Sequence, residues 1–410
     1  MSRWPTKQLS ALCDEITVGF VGKMSDQYVE KGIPFLRSQD IFPGHIDVAN
    51  IKYISQGFHQ KIRKSKLTPG DVAVVRTGYP GTAAVVPASL PEANCADLVI
   101  LRPGSQLDPR FLAYVFNSPW GKAHVGGRLV GAAQQHFNVK TAQALEIPTP
   151  PFDIQCRIAS ILGAYDDLIE VNQRRVKLLE EMARGLFEEW FVRFRYPGHE
   201  AVPLLDTPNG PLPEGWRWGV FENLTDEIRQ SVAPSDVDAE TSYIGLEHLP
   251  RRSTTLNDRG NAVDVSSLKL RFQRGDILFG KIRPYFHKVA WAPIGGVCST
   301  DAIVWRPKPG ATAQALAIAS SDDFVAHSVQ TSNGTKMPRA NPRVLAAYRC
   351  AIATPDISAR FECVSFPLVE LAAALQAANE RLAASRDLLL PRLISGQLSV
   401  EAVEQQLAAE

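Results

Sequence analysis

The chain states one pattern twice. Leu67-Thr68-Pro69-Gly70-Asp71-Val72 returns as Phe272-Gln273-Arg274-Gly275-Asp276-Ile277, 205 positions later. Cys95-Ala96-Asp97-Leu98, with Arg102-Pro103 behind it, returns as Ser299-Thr300-Asp301-Ala302 with Arg306-Pro307, 204 positions later. Trp4 and Asp14-Glu15-Ile16 return as Trp216 and Asp226-Glu227-Ile228, 212 positions later. Landmarks that keep their order at a nearly constant offset imply tandem duplication. A period of half the chain is far longer than the roughly 20 to 50 residues of solenoids and propellers. The pattern therefore restricts the fold to two similar domains, each long enough to bury its own core, with two similar binding faces.

Up to about residue 148, short apolar runs are broken by Gly and Pro. Val72–Val75, Ala83–Val86 and Leu98–Leu101 read as strands, and Phe111–Asn117 and Val139–Leu145 as short helices. In the second copy Ile277–Gly280, Val289–Trp291 and Ala302–Trp305 are the clearest strands. The fold class is α+β. The boundaries are 1–149 for the first domain, 150–196 for a central helix and 197–215 for a linker. The second domain covers 216–354, a C-terminal helix 355–400 and a tail 401–410.

Pro150-Pro151 ends the first domain, and Asp153 is placed to cap the helix that follows. Leu162, Tyr165, Ile169, Asn172, Val176, Leu179, Ala183, Leu186 and Trp190 then alternate at spacings of three and four. This is a coiled-coil stripe over about four heptads, on a helix roughly 60 Å long. Asn172 inside the stripe costs stability and fixes register or partner. The second stripe is Val364, Leu368, Leu371, Leu375, Ala378, Leu382, Ser385 and Leu389, with Asn379 lying 207 positions after Asn172. Pro367 predicts a kink or boundary, and Gly396 a C-cap. Two helices of matched length can lie antiparallel and bury both stripes, with a domain at each end of a rod.

Composition excludes several classes. No run of about 18 uncharged apolar residues exists, and Met1-Ser2-Arg3-Trp4-Pro5 lacks a signal-peptide core, so a cytoplasmic protein is expected. Cys13, Cys95, Cys156, Cys298, Cys350 and Cys363 form no C-x-x-C pair, which points to buried free thiols rather than zinc. The formal net charge of +1 announces no nucleic-acid binder, although Lys61–Lys66, Arg271–Lys288 and Lys336–Arg343 are locally basic. No phosphate loop, dinucleotide fingerprint, metalloprotease helix or nucleophile elbow occurs. Lone histidines such as His136 and His287 suggest surface or core positions. No catalytic, cofactor-binding or metal-ligating residue is assigned.

Several stretches resemble the specificity subunits of type I restriction–modification enzymes. They are Pro150-Pro151-Phe152-Asp153-Ile154-Gln155-Cys156-Arg157-Ile158, Leu178-Leu179-Glu180, Ala183-Arg184-Gly185-Leu186-Phe187, and Arg386-Asp387-Leu388-Leu389-Leu390-Pro391-Arg392-Leu393-Ile394-Ser395-Gly396. The family's usual Pro-Pro-Leu-Glu-Glu-Gln is here Pro-Pro-Phe-Asp-Ile-Gln. The resemblance implies two target-recognition domains that read a split site in double-stranded DNA. It implies spacer helices, two docked methyltransferase subunits and possible restriction subunits. S-adenosylmethionine, ATP and Mg2+ would act in those partners.

On that reading the DNA-contacting loops of the first domain hold Arg37, Ser38, Gln39 and Asp40; Arg76, Thr77 and Tyr79; and Gln134, Gln135 and His136. In the second they hold Glu247 and His248; Lys281, Arg283 and Tyr285; and Lys336, Arg339 and Asn341. Arg pairs with guanine and Gln with adenine, and Gly131-Ala132-Ala133-Gln134 resembles a family element near DNA. The competing reading is a scaffold that binds protein partners through its helices.

Overall fold

A computed structural model describes residues 4–127, 136–334 and 336–409. They form two units, one of residues up to 169 with those from 381 onward, the other of residues 170–380. Each unit holds one mixed domain and stretches of both long helices.

In the first unit a four-stranded antiparallel sheet runs in the order Ala83–Val85, Val72–Val75, Leu98–Pro103, Cys13–Val18. Its central strand, Val72-Ala73-Val74-Val75, is apolar throughout because both faces are covered. Side chains alternate across a strand. Val72 and Val74 therefore pack with Phe111, Leu112 and Phe116 of the helix Pro109–Asn117, while Ala73 and Val75 pack with Leu36 and Leu67. Those last two residues belong to a five-stranded sheet, Tyr28–Val29, Lys52–Ile54, Ile33–Leu36, Ala93–Cys95, Lys66–Leu67, with Ile33–Leu36 and Ala93–Cys95 parallel. Thr6–Gln8 pairs with Glu146–Pro148, tying the domain's first strand to its last.

The second unit repeats this topology. Its four-stranded sheet runs Val289–Trp291, Ile277–Gly280, Ala302–Pro307, Thr225–Ile228. Arg217–Val220 pairs with Arg349–Ile352, as the first copy's terminal strands do. The helices Thr312–Ala319 and Asp322–Gln330 match Pro109–Asn117 and Pro119–Gly126. The five-stranded sheets share four strands, Gly260–Asn261, Ser242–Ile244, Gly296–Ser299 and Lys269–Phe272 in this copy. The fifth joins opposite edges, Tyr28–Val29 beside Lys52–Ile54 in one copy and Ser231–Val232 beside Lys269–Phe272 in the other.

The landmarks that reveal the duplication meet in space. The buried Asp71 carboxylate accepts from the Thr68 amide at 2.9 Å and lies 3.6 Å from Arg102 Nε. The buried Asp276 accepts from the Gln273 amide at 2.8 Å and takes a two-point grip from Arg306, at 2.8 and 2.9 Å. Each carboxylate thus closes its turn and locks it to the neighbouring strand. Burial pushes the Asp71 carboxyl above its usual range, against the pull of the Thr68 amide and Arg102.

The first long helix is Phe152–Phe187, continued by a π turn over Glu188–Val192. Asp153 falls inside its first turn rather than ahead of it. The start is held instead by Gln155, whose Oε1 accepts from the Asp108 amide at 3.0 Å and whose Nε2 donates to Pro150 O at 2.9 Å. Every stripe position from Leu162 to Trp190 is buried or half-buried, while Leu168, Val171, Leu178 and Met182 off the stripe are exposed.

The second long helix is Pro355–Ile394 and runs unbroken through Pro367. Its stripe coincides with the expected one only in part. Phe361, Ser365, Ala372 and Asn379 are buried, whereas Val364 and Leu371 are 45 % and 50 % exposed. Leu375, Leu382 and Leu389 are half-buried. An alanine-rich helix offers several apolar faces, so periodicity alone left the phase open. Gly396 has φ +72° and its amide donates to Leu393 O at 3.1 Å, the expected C-cap. Among the described residues this helix is long and apolar enough, by length and composition, to cross a membrane; Glu362 and Glu370 interrupt its apolar run.

Within the second unit the helices run antiparallel. Phe361 meets Trp190 and Phe191, with ring centroids 5.6 and 4.9 Å away, and Asn172 Nδ2 donates to Asn379 Oδ1 at 3.0 Å. The paired asparagines are the two copies of one repeat position, and Asn379 Nδ2 is buried without a partner among the described residues. Each domain grips its helices differently. Asp166 takes Tyr114 Oη and Arg386 Nη1 at 2.5 Å each in the first unit. In the second unit Glu180 Oε1 accepts from Ser253 Oγ and Thr255 Oγ1 at 2.7 Å and from the Thr254 and Thr255 amides at 2.9 Å.

Other expectations are corrected. The segment expected to be a linker contains a hairpin, Leu204–Thr207 with Gly210–Pro213. The expected tail is a helix, Val400–Ala409, which buries Val400 and Val403 and presents Glu401 and Glu404 to Arg157. Cys363 is exposed and Cys13 and Cys156 only partly buried; Cys95, Cys298 and Cys350 are the buried thiols.

Two predictions follow from these contacts. Asp276→Ala removes one side of a buried pair and the cap of its turn, and should cost about 3 kcal/mol of unfolding free energy. A loss under about 0.5 kcal/mol in a denaturant titration, the range of ordinary surface changes, contradicts the clamp. Asn172→Leu alone strands the Asn379 amide in an apolar seam and should cost about 1–3 kcal/mol. Adding Asn379→Leu should recover that loss, and a thermodynamic cycle with no coupling between the positions refutes the pairing.

Candidate nucleic-acid interface

The candidate loops sit at the end of the central strand pair opposite the Asp–Arg clamp. Val72–Val75 runs antiparallel to Leu98–Pro103, so Asp71 and Arg102 mark one end and Arg76 and Asp97 the other. Arg76 Nη1 lies 2.5 Å from Asp97 Oδ1, and its Nε donates to Phe137 O at 3.2 Å. Thr77 Oγ1 donates to Asp97 Oδ2 at 3.3 Å and lies 3.0 Å from His136 Nδ1. Asp97 holds a left-handed φ of +51°. One carboxylate thus gathers the 76–79 loop, and through Thr77 the approach to the helix Val139–Gln143. Beyond it, Gly78 and Gly81, at φ +89° and +88°, turn Tyr79 outward to 84 % exposure.

The second copy crosses its loops in the same way with different side chains. The Lys281 amide donates to Asp301 O at 3.0 Å, and the Ala340 amide to Lys281 O at 2.9 Å, as the Phe137 amide does to Arg76 O at 3.2 Å. Here Asp301 is approached by Arg339, at 3.7 Å, rather than by the strand-end cation. Lys281 Nζ donates to Thr300 O at 2.5 Å. Tyr285 is half-exposed and Lys336 exposed.

Other expected contact residues have internal duties. The Arg37 guanidinium is spent on Asp40, at 2.9 Å from Nε and 2.7 Å from Nη2, and on Asn50 O at 3.2 Å. The hydrogen bond to Asp40 holds it charged against its partial burial. Ser38 is half-buried and Gln39 exposed beside it. Asn341 caps the short helix Pro342–Ala346 through the Arg343 amide at 3.0 Å, as Asn138 caps Val139–Gln143 through Thr141 at 2.9 Å. His248 Nδ1 accepts from the Gly245 amide at 2.9 Å. Glu247 next to it is exposed. Lys288 Nζ donates to Leu246 O, tying that loop to the sheet. Gln134 and Gln135, with the Gly131–Gln134 element, lie outside the described residues.

Sequence reasoning missed the organising carboxylates, Asp97 and Asp301. The signal was present, since a charged residue recurs in both copies directly before an apolar strand. Glu180 had no such signal, because its partners are hydroxyls and amides of a distant loop. Among the described residues no cluster of three metal-ligating side chains occurs. A cavity of about 590 Å³ in the second unit is lined by Phe187, Phe191 and His287, among others, but by none of the candidate loop residues.

His287 bears on pH. Its Nε2 lies 2.7 Å from Ser320 O, while Nδ1 sits 3.5 Å from Asp322 Oδ1, beyond a strong hydrogen bond. Burial lowers its pKa below the ordinary 6.5, opposed by Ser320 and Asp322 and helped by Arg252 and Arg184. The fold prefers the neutral ring, so its contribution is complete above pH 6.5 and is lost as the pH falls through the lower folded value. The urea midpoint of the second unit should therefore fall between about pH 7.5 and pH 5. His287→Asn, which tolerates the φ of +53°, should flatten that dependence; an unchanged slope counts against His287 as its source.

The geometry defines a protein with two copies of a tyrosine-bearing loop cluster, each gathered around an aspartate at the end of a central strand pair. Residues 2–181 match the type I restriction modification DNA specificity domain. A Methanocaldococcus jannaschii protein described as the MjaX type I restriction enzyme specificity subunit is 24 % identical over 52 % of this chain, and the match spans 50 % of that relative's length. The MjaIX specificity subunit of the same organism is 23 % identical over 71 % of this chain and 69 % of its own length. The crystal structure of a type I restriction–modification system S subunit from M. genitalium shares the fold, with a TM-score of 0.61, 11 % identity and 96 % of each chain covered. The chain is thus similar to type I restriction–modification specificity subunits over much of its length, and its residues 2–181 match their DNA specificity domain.

Proposed function

We propose that this chain is the DNA-reading subunit of a type I restriction–modification enzyme. Each domain reads one half of a split, asymmetric target in double-stranded DNA. The observation that carries this reading is the loop crossing built in both copies on Asp97 and Asp301 but dressed with different side chains. A shared frame keeps two reading surfaces equivalent in shape, and different side chains let them select different bases. Cationic groups position the duplex on its phosphates, and side chains at base edges select sequence.

The chain has no catalytic role of its own. The paired helices are the surface on which two methyltransferase subunits assemble, with restriction subunits beyond them. S-adenosylmethionine, ATP and Mg2+ act in those partners, and the complex works in the cytoplasm. A pure scaffold would have no use for exposed Tyr79 and Tyr285 on basic loops.

Nuclease footprinting of the complex with its methyltransferase subunits should show two short protected segments separated by a fixed gap. No protected segment refutes the reading in favour of a scaffold. Tyr79→Ala should leave the fold intact and weaken specific binding by about 10-fold, the scale of one lost base-edge contact. Unchanged affinity removes Tyr79 from the interface.

A further inference from the structure

Five described residues other than glycine hold a left-handed backbone: Asp97, Phe194, Arg252, Arg283 and His287. This conformation is unfavourable for an L side chain and persists where surroundings impose it. Four have an internal reason. Asp97 binds Arg76 and Thr77, Phe194 packs edge-on against Trp216, Arg252 pairs with Asp322 at 3.0 Å, and His287 bonds to Ser320 O. Arg283, at φ +49°, is exposed, and its side chain makes no hydrogen bond or ion pair among the described residues.

The repeat shows what the fold itself asks for at this position. Arg283 lies 205 positions after Gly78, the offset that relates Arg76 to Lys281. Gly78 has φ +89°, and a Cβ there would meet nothing within 4 Å. The frame therefore requires a left-handed residue, which glycine supplies without strain, and the second copy carries an arginine instead. Both sides of that arginine are fixed. Its amide donates to Pro338 O at 2.8 Å, Ile282 bridges to Arg339, and Pro284 is buried.

We propose that Arg283 is a specificity-determining residue of the second domain and reads a guanine in its half-site. The proposal rests on the DNA-reading function above. Strain with no return inside the chain is offset by a ligand outside it. A rigid, aimed backbone serves a planar two-point contact to guanine O6 and N7, whereas a phosphate tolerates a cation on a loose tether.

The test uses the complex with its methyltransferase subunits, comparing wild type with Arg283→Gly and Arg283→Asn, both suited to the backbone. Chemical denaturation should find Arg283→Gly at least as stable as wild type. Its affinity for the target should fall on the order of 10-fold to 100-fold, with discrimination relaxed at one base pair of one half-site. Equal affinity of wild type and variants for a site that wild type protects overturns this inference alone. A loss spread evenly over all sequences, with a shallower salt dependence, assigns a phosphate contact and overturns the guanine claim. A wild-type complex with no sequence preference overturns the DNA-reading function and the inference with it.

Discussion

The structure depends on a buried carboxylate gripped by an arginine at one end of a central strand pair. Asp71 with Arg102, and Asp276 with Arg306, close a turn and bind it to the next strand. Without that lock the strand leaving the turn could slip, and a one-residue slip would send every side chain to the other face. Both faces of this strand are buried, so register is tightly specified. At the far end a second aspartate receives the loops. Each domain is thus a short rigid beam, clamped at one end and dressed at the other. The dressed end can vary in sequence because its position is set elsewhere.

The helices obey a related rule. Their seam is mostly apolar, but the paired asparagines place a polar contact inside it. A buried amide is satisfied in one register and orphaned in others, so the pair trades stability for a defined alignment. The grips of Asp166 and Glu180 differ in chemistry although the domains are copies. Duplication preserved the beam and its clamp, and let the attachments to the helices diverge.

Much of this was legible in the sequence, for identifiable reasons. Ile277–Gly280 and Val289–Trp291 were readable as strands because glycines and prolines bracket short apolar runs. The first helix stripe was readable because its polar and apolar positions contrast sharply. The second was readable only in part, because alanines blur the contrast and the phase is set by packing against Trp190 and Phe191. Pro367 marks no boundary, because a helix can absorb a proline where neighbours hold it. Among the candidate contact residues, Arg76, Thr77 and His136 come together in the first unit, and Lys281 and Arg339 come together in the second. The internal duties of Arg37 and Asn341 were not legible, because arginine and asparagine serve turns and caps as readily as ligands. Only the position of Asp40 and the start of a helix reveal which role applies.

The central claim is that two copies of one frame read two different sequences. A map of the bases modified by the complex on a randomised DNA library tests it most directly. Two short, dissimilar motifs separated by a gap of constant length are the expected result. A single contiguous motif, a palindrome, or modification without sequence preference would contradict it.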